Sequence, residues 1–424
     1  MPDLPSNIKT KISVVIPVYN GAKTLIACLD SLMNLSIGKE GIEIIVVDNN
    51  STDETKEIIR QYPVIYLFEE NRGRGWARNR GATYAKGEFV TFTDADCIVD
   101  KNWIFELLNG FKSNDQVAIC GGKIVAYKQD TLFEQYVETR GVLSQERGIL
   151  GVDPQDLPRA LTANAMFRKS ILEQAGYFDE DLLTSEDTEI SWRISFLGYE
   201  IKYIPQAIVH HQHTKTLKTF LKHHFDFGRA AVIINQKYGK VYLGVGGPNS
   251  ALGVFLLSLL AIGLFFFRAI KRIFVKQGRE PLIFLGLDVL MNLSYNFGAF
   301  CTIIKTAILN FRKKRILKYK MPLKNLIKTF NFCNNGNHWS LNYPSTWFLT
   351  EGILRLVVFS KGLHVYKFNR TATRIWISLH QTRDFEKTVE ALSQEYRVDT
   401  NNIKQDAEEF MNMLRDDRLL TVHS

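Results

Sequence analysis

The sequence lacks any CxxC pair. Its five cysteines, at 28, 97, 120, 301 and 333, are scattered through 424 residues. Neither a zinc cluster nor a disulfide framework is indicated, which fits a reducing compartment. The first eleven residues lack an apolar core and a cleavage signal, so residues 1–240 are expected to stay in the cytoplasm. No repeat and no disorder-prone bias is present, and 46% apolar residues suffice for packed cores. Charge is absent altogether from residues 241–267. Elsewhere it is plentiful and basic, with a net value of +9. That balance suits anionic partners such as nucleotide phosphates, phospholipid or nucleic acid without choosing among them.

Residues 1–240 alternate short β-branched or aromatic runs (12–17, 42–47, 89–92) with helical patterns (24–35, 53–61). The alternation predicts an α/β fold with a mostly parallel, helix-covered sheet. Two apolar stretches follow. Residues 251–267 would cover roughly 26 Å as a helix, and 281–304 carry one charge, Asp288. They are expected to form a membrane-associated helical hairpin within 241–310. The loop between them and the tail after them are both basic, so the hairpin either enters and leaves on one face or forms two marginal spans. Residues 311–340 read as a connector. In 341–424, strand-like runs at 354–359 and 363–368 precede three helical patterns. Ile403, Ala407, Phe410 and Leu414 share one face of the last, predicting a small winged-helix-like α+β domain.

Several polar residues stand where open α/β sheets bind ligands, at the carboxyl ends of strands. Asp48 ends the second strand-like run, and Ser51 with Glu54 fits a helix-capping box after it. Asp94 and Asp96 end the run 89–92; paired hard oxygen ligands with open positions suit Mg²⁺ or Mn²⁺ carrying a diphosphate. Four arginines lie between 72 and 80 at a helix start, of which Arg78 is the candidate for phosphate. Glu186 and Asp187 open another helix, in which Glu189 and Arg193 are spaced for a salt bridge. Asp187 is the candidate general base for an acceptor hydroxyl. His211 and His213 share a strand face, and His211 is the preferred further metal ligand.

In this order the motifs resemble glycosyltransferase family 2, with its GT-A fold. The matching residues are Val15-Ile16-Pro17-Val18-Tyr19-Asn20, Val47 to Asp53, Ala77-Arg78-Asn79, Thr93-Asp94-Ala95-Asp96, Asn164, Gly176 to Asp179, and Glu186-Asp187. The resemblance implies an inverting, metal-dependent hexosyl transfer from a nucleotide sugar, UDP by analogy. It implies that Pro17, Tyr19, Asn20, Asp48, Arg78, Asp94 and Asn164 contact the donor, Asp48 at the base and Asp94 at the ribose or metal. Asn164 would lie near the donor or acceptor sugar. Asp96, Asp94 and His211 would hold the metal, and Asp187 beside Glu186 would act as base. Two apolar helices after the catalytic domain fit membrane-associated members, at the cytoplasmic face of the cell membrane.

The C-terminal region, 341–424, resembles PqqD-like peptide-recognition domains. It does so through Val365 to Asn369, Thr371-Ala372, Ile375-Trp376, 389–396 and 406–420, with Phe368 where the family usually has Leu. The resemblance implies a leader peptide of a ribosomal product, added as an extra strand. Asp406, Glu408, Glu409, Asp416 and Asp417 on the last helix would repel phosphate, so no nucleic-acid partner is expected. Three functions follow from these features. The first is a transferase whose tail delivers a peptide acceptor, and the second a transferase acting on a lipid-linked or polysaccharide acceptor at the membrane. The third is a membrane-bound peptide-binding scaffold without activity.

Overall fold

The computed structural model describes residues 12–36, 41–112, 114–150, 157–238, 262–263, 282–313, 331–334, 337–341, 345–350, 353–359, 363–396, 398–416 and 419–423. The chain divides into two compact units, residues 1–194 with 201–318, and 195–200 with 319–424.

In the first unit, β1 (Ile12–Val18), α1 (Leu25–Met33), β2 (Ile42–Asp48), α2 (Thr55–Ile59), β3 (Ile65–Phe68), α3 (Arg74–Tyr84) and β4 (Phe89–Phe92) alternate as the periodicity predicts. Then come β5 (Cys97–Val99), α4 (Trp103–Phe111), β6 (Val117–Ala126), α5 (Leu132–Arg140), α6 (Gln145–Leu150), β7 (Ala165–Arg168), α7 (Lys169–Gln174), α8 (Glu186–Phe196), β8 (Glu200–His211) and α9 (Leu217–Tyr238). The eight strands form one sheet in the order β3-β2-β1-β4-β7-β6-β8-β5. Pairings within β3-β2-β1-β4 are parallel, whereas β4–β7, β6–β7 and β5–β8 are antiparallel. The expected mostly parallel sheet is therefore parallel in one half only. The strand–helix alternation that forces parallel crossovers ends at β4.

Strands β1 and β4 and the second half of β2 are buried, and Val14, Ile16, Val18 and Val46 pack with Leu25, Leu29, Trp103 and Leu107 in one apolar core. Burying both faces of these strands puts their polar ends, and little else, at the sheet's carboxyl edge. The predicted capping box does not form. Helix α2 begins at Thr55, and the Ser51 hydroxyl instead accepts from the Asn20 amide at 2.9 Å.

Of the two apolar helices expected, one is found among the described residues. Helix α10 (Leu282–Lys313) contains a 24-residue stretch, Ile283–Thr306, long and apolar enough to cross a membrane. The other stretch, 251–267, lies outside the described residues apart from 262 and 263, and the hairpin with it. Helix α10 packs along α9. Phe284 and Leu287 join Tyr136, Val137 and Phe220 in an apolar cluster. Its one acidic residue, Asp288, is bound by Arg140 at 2.7 Å and accepts from the Tyr136 hydroxyl at 2.7 Å.

The second unit holds two three-stranded sheets, ordered β14-β10-β9 and β11-β12-β13, and three helices. These are β9 (Asn331–Asn334), β10 (Asn337–Leu341), β11 (Ser345–Thr350), β12 (Ile353–Phe359), β13 (Leu363–Lys367), α11 (Arg370–Thr382), α12 (Phe385–Tyr396), α13 (Thr400–Asp416) and β14 (Leu420–His423). Residues 331–334 and 337–340, expected as connector, are strands. Asn is poor in strands by propensity, and here antiparallel pairing overrides it. Ala407, Phe410 and Leu414 of α13 are buried against Trp376, Leu379 and Val389, so the helical stripe read from sequence is the core face.

Candidate active site

Loops after β1 and β2 are locked together by Asn20, whose Oδ1 accepts from the Thr52 amide at 2.8 Å. Asn20 and Asn50 both adopt left-handed backbone, with φ of 51° and 63°, a conformation Asn tolerates. Asn20 thus does a loop-tying job. Tyr19 is exposed at the mouth, where the Arg72 guanidinium lies 4.1 Å from its ring centroid. Asp48 stands behind these loops, 3% exposed and outside the cleft lining. Its carboxylate accepts from the Ser51 amide at 3.0 Å and the Tyr66 hydroxyl at 3.2 Å.

Arg78 projects from α3 into a buried position, where it is 2% exposed. Its guanidinium donates to Asp94 Oδ1 at 2.8 Å and to Glu186 Oε1. The residue expected to meet phosphate is thereby spent on two carboxylates. Burial works to raise the Asp94 carboxyl, but the Arg78, Arg74 and His211 charges hold it below the usual carboxylate range. Glu186 goes the other way. Its burial, with Asp187 alongside, keeps it above its ordinary value in spite of Arg78, and its Oε2 makes no hydrogen bond.

The turn into α8 places Glu186 and Asp187. Ser185 holds a φ of 63°, an uncommon state for a residue with a Cβ, and it faces the cleft. Asp187 follows it, partly exposed in the same cleft, with Oδ1 accepting from the Thr188 amide at 2.7 Å. The expected Glu189–Arg193 bridge forms at 2.6 Å, and Lys237 also binds Glu189. Glu189 is therefore a strut for α8.

The antiparallel register pairs Cys97 of β5 with His211 of β8, so Asp96 and His211 meet. His211 Nε2 lies 3.6 Å from Asp96 Oδ1, and its Nδ1 lies 3.2 Å from His213 Nδ1. Asp96, Cys97 and His211 offer ligand atoms within 4.8 Å of one another. Burial and the neighbouring Asp96 and Asp94 push the Cys97 thiol well up, which leaves it protonated and unsuited to a hard cation. One carboxylate and one imidazole facing an open cleft fit Mn²⁺ or Mg²⁺ that keeps positions for phosphate oxygens. Asp94, expected in the same donor set, is instead turned to Arg78.

Asn164, expected near the donor or acceptor sugar, is held by protein partners. It is fully buried and absent from the cleft lining. Its amide donates to the Lys123 and Ala207 carbonyls at 2.8 and 2.9 Å and accepts from the Trp103 indole at 2.7 Å. All its capacity goes to bolting β7 into the sheet's surroundings.

The cleft itself has a volume of about 1250 Å³ and brings together Pro17, Tyr19, Asn20, Arg78, Asp94, Asp96, Glu186, Asp187 and His211. Sequence reasoning missed its far wall, built by Lys222, His223, Asp226 and Arg229 of α9 and by Met291, Asn292 and Tyr295 of α10. No local signal set these residues apart: Asn292 stands four after Asp288, but Ser294 and Asn296 are polar in the same helix. Arg74, at the start of α3, also lines the cleft. Lys222 and Arg229 are both engaged by Asp226, at 3.0 and 3.5 Å.

Comparison with known proteins matches residues 13–176 to Glycosyl transferase family 2 and residues 355–420 to Coenzyme PQQ synthesis protein D (PqqD). The poly-β-1,6-N-acetyl-D-glucosamine synthase of Staphylococcus epidermidis is 30% identical over 207 residues, covering 46% of this chain and 48% of that one. The probable glycosyltransferase YdaM of Bacillus subtilis is 27% identical over 242 residues, covering 54% and 57%. The chain spans about half the length of the curated relatives it matches. Among solved structures, a mannosyltransferase from Pyrobaculum calidifontis in complex with GDP-Man and Mn²⁺ aligns at 17% identity and a TM-score of 0.42, covering 73% and 77%. The chain thus resembles glycosyltransferase family 2 over residues 13–176 and PqqD over residues 355–420.

Proposed function

We propose that the first unit transfers a sugar from a nucleoside diphosphate donor, UDP in the first instance, with inversion at the anomeric carbon. The observation that carries this reading is that one cleft contains both the Asp96–His211 pair and Asp187. A divalent cation held by Asp96 and His211 would neutralise charge on the departing diphosphate. Asp187 would take the proton from the acceptor hydroxyl as its oxygen bonds to the anomeric carbon. The bond from that carbon to the diphosphate oxygen breaks, and its electron pair leaves with the nucleotide. Arg78 positions Glu186 at the turn that aims Asp187, and in the same fork holds Asp94.

The acceptor in this reading is a peptide. Among the described residues β13, inside the PqqD match, is an edge of the sheet β11-β12-β13, and an edge is what a peptide needs to add itself as a strand. Binding there would raise the peptide's effective concentration at the transferase. A second reading takes a polysaccharide or lipid-linked acceptor. It is favoured by the relative named for a poly-N-acetylglucosamine product. In both, the enzyme works at the cytoplasmic face of a membrane.

The test is donor turnover by the full chain across a nucleotide-sugar panel, with Mn²⁺ or with EDTA. Turnover of one donor that needs Mn²⁺ and disappears in Asp96→Asn is the expected result. No turnover together with no detectable donor binding would leave the non-enzymatic scaffold as the better account. Candidate precursor peptides and lipid-linked sugars, added to the active protein, then separate the two acceptor readings.

A further inference from the structure

Helix α10 has two used sides. Phe284, Asp288, Met291 and Tyr295 follow one another at spacings of four, three and four, and so share a face. That face is turned into the first unit: Phe284 is buried in the apolar cluster, Asp288 is bound by Arg140, and Met291 and Tyr295 line the cleft. Ile283, Leu290, Phe297 and Ile304 recur every seven residues. At 100° per residue they fall on average about 140° from that face, with Phe300 beside Ile304. All five are exposed, Phe297 at 60% and Ile283 at 54%. Only 22% of the helix's most apolar window is buried, although its mean hydropathy is 1.3. A stripe about 30 Å long thus faces outward without a charged residue among its members.

We propose that this outer face of α10 rests in the headgroup–acyl boundary of an anionic bilayer, so that the helix lies on the membrane as part of the transferase unit. Two observations favour lying over crossing. The helix is fixed along its inner side by Asp288–Arg140, and by glycine contacts with α9 that let the two backbones touch. Gly298 and Gly228 leave no room for a Cβ against the Phe225 and Tyr295 carbonyls, respectively. A helix so attached carries a folded, polar unit on one side, which hydrocarbon would not accommodate. Charge favours lipid over a second copy of the chain. Lys305 follows the stripe, the sequence continues into Arg312, Lys313, Lys314 and Arg315, and the chain carries +9 overall, which attracts anionic headgroups and repels itself. One consequence concerns the chemistry. Because the same helix is cleft wall and membrane contact, the cleft would open about one helix diameter, 10–12 Å, from the lipid surface. The reading holds for either acceptor and does not depend on the transferase assignment.

The test uses full-length protein and vesicles of phosphatidylcholine with phosphatidylglycerol, carrying bromine at defined acyl depths. Tryptophan is introduced singly by Leu290→Trp, Ile304→Trp and, on the inner face, Met291→Trp. Bromine near the headgroups should quench the added emission at 290 and 304 equally, and leave that at 291 unchanged. Quenching at neither 290 nor 304 overturns the proposal and points to a protein cover, either a second copy or another part of this chain. Quenching at depths differing by about 21 Å, the rise over fourteen residues, would make α10 a span and overturn it equally. Leu290→Glu with Phe297→Glu should cut the fraction of protein floating with vesicles at least tenfold. The double variant keeps the wild-type Mn²⁺–UDP affinity if it is folded. Donor binding and donor turnover are read separately, so failure here leaves the transferase assignment standing.

Discussion

His211 Nε2 stands 3.6 Å from Asp96 Oδ1, although 115 residues separate them in the chain. The antiparallel register of β5 on β8 sets Cys97 opposite His211 and thereby fixes this pair. A metal held there draws on both side chains, so either one alone should bind weakly. His211→Ala is expected to weaken Mn²⁺ binding in the presence of UDP at least tenfold, about 1.4 kcal/mol. Titration calorimetry checks it. An unchanged Mn²⁺ affinity would remove the histidine from the metal site.

Arg78 answers two carboxylates from a position 2% exposed. Arg78→Met would leave Glu186 buried and without a counter-charge, a loss of about 3–5 kcal/mol in folding stability. Arg78→Lys should recover only a small part, because one ammonium cannot fork to both partners as guanidinium does. Urea unfolding of the three proteins measures this directly. Equal midpoints for arginine and lysine would mean that one carboxylate contact carries the whole effect.

The sequence made the parallel half of the sheet legible because alternation and solid apolar runs leave few alternatives. Asp96, His211 and Asp187, singled out by their motifs, line one cleft. Their roles are another matter, and three donor candidates show why. Asp48 and Asn164 lie outside the cleft lining and Arg78 lines it from α3, yet all three spend hydrogen bonds on protein partners. A motif places a side chain near a site but does not say which neighbour claims it. The far wall was illegible for a different reason. Helices α9 and α10 carry the ordinary periodicity of packed helices, and nothing local reveals that they turn toward residues 200 positions earlier.

Folding stability should depend on pH through His224, which is 7% exposed and packed against Phe220 and Phe227. Burial, with His223 adding to it, lowers its pKa from 6.5 to about 4. A histidine with a depressed folded pKa is neutral when folded, while the unfolded chain binds a proton below 6.5. Its contribution is therefore fully present above pH 6.5 and is lost as pH falls toward 4, on the order of 3 kcal/mol across that window. His224→Leu should flatten the fall in stability between pH 7 and pH 5. Denaturant unfolding at both values tests it, and equal slopes for variant and parent would show that another group titrates.

The crossing of α9 and α10 sets the far wall of the cleft, and two glycines set the crossing. A Cβ at Gly298 would stand 1.9 Å from the Phe225 carbonyl oxygen, and one at Gly228 would stand 1.8 Å from that of Tyr295. Both clashes are with backbone, which cannot swing aside as a side chain would. Gly298→Ala must therefore push the helices apart, at a cost of about 1–3 kcal/mol or more. The shift moves Asn292 and Tyr295 relative to His223 and Asp226, but leaves the loops of β1, β2 and β4 where they are. Binding of Mn²⁺ and UDP should stay within about twofold of the parent, while acceptor-dependent turnover falls by more than tenfold. Adding Gly228→Ala should cost less than a second independent change would, since the helices are already separated and the two sites share one crossing. Thermal unfolding, donor binding and acceptor kinetics of the two single variants and the double variant provide the check. Full additivity in stability would mean that each glycine relieves a separate contact, and loss of UDP binding would mean that the far wall holds the donor as well.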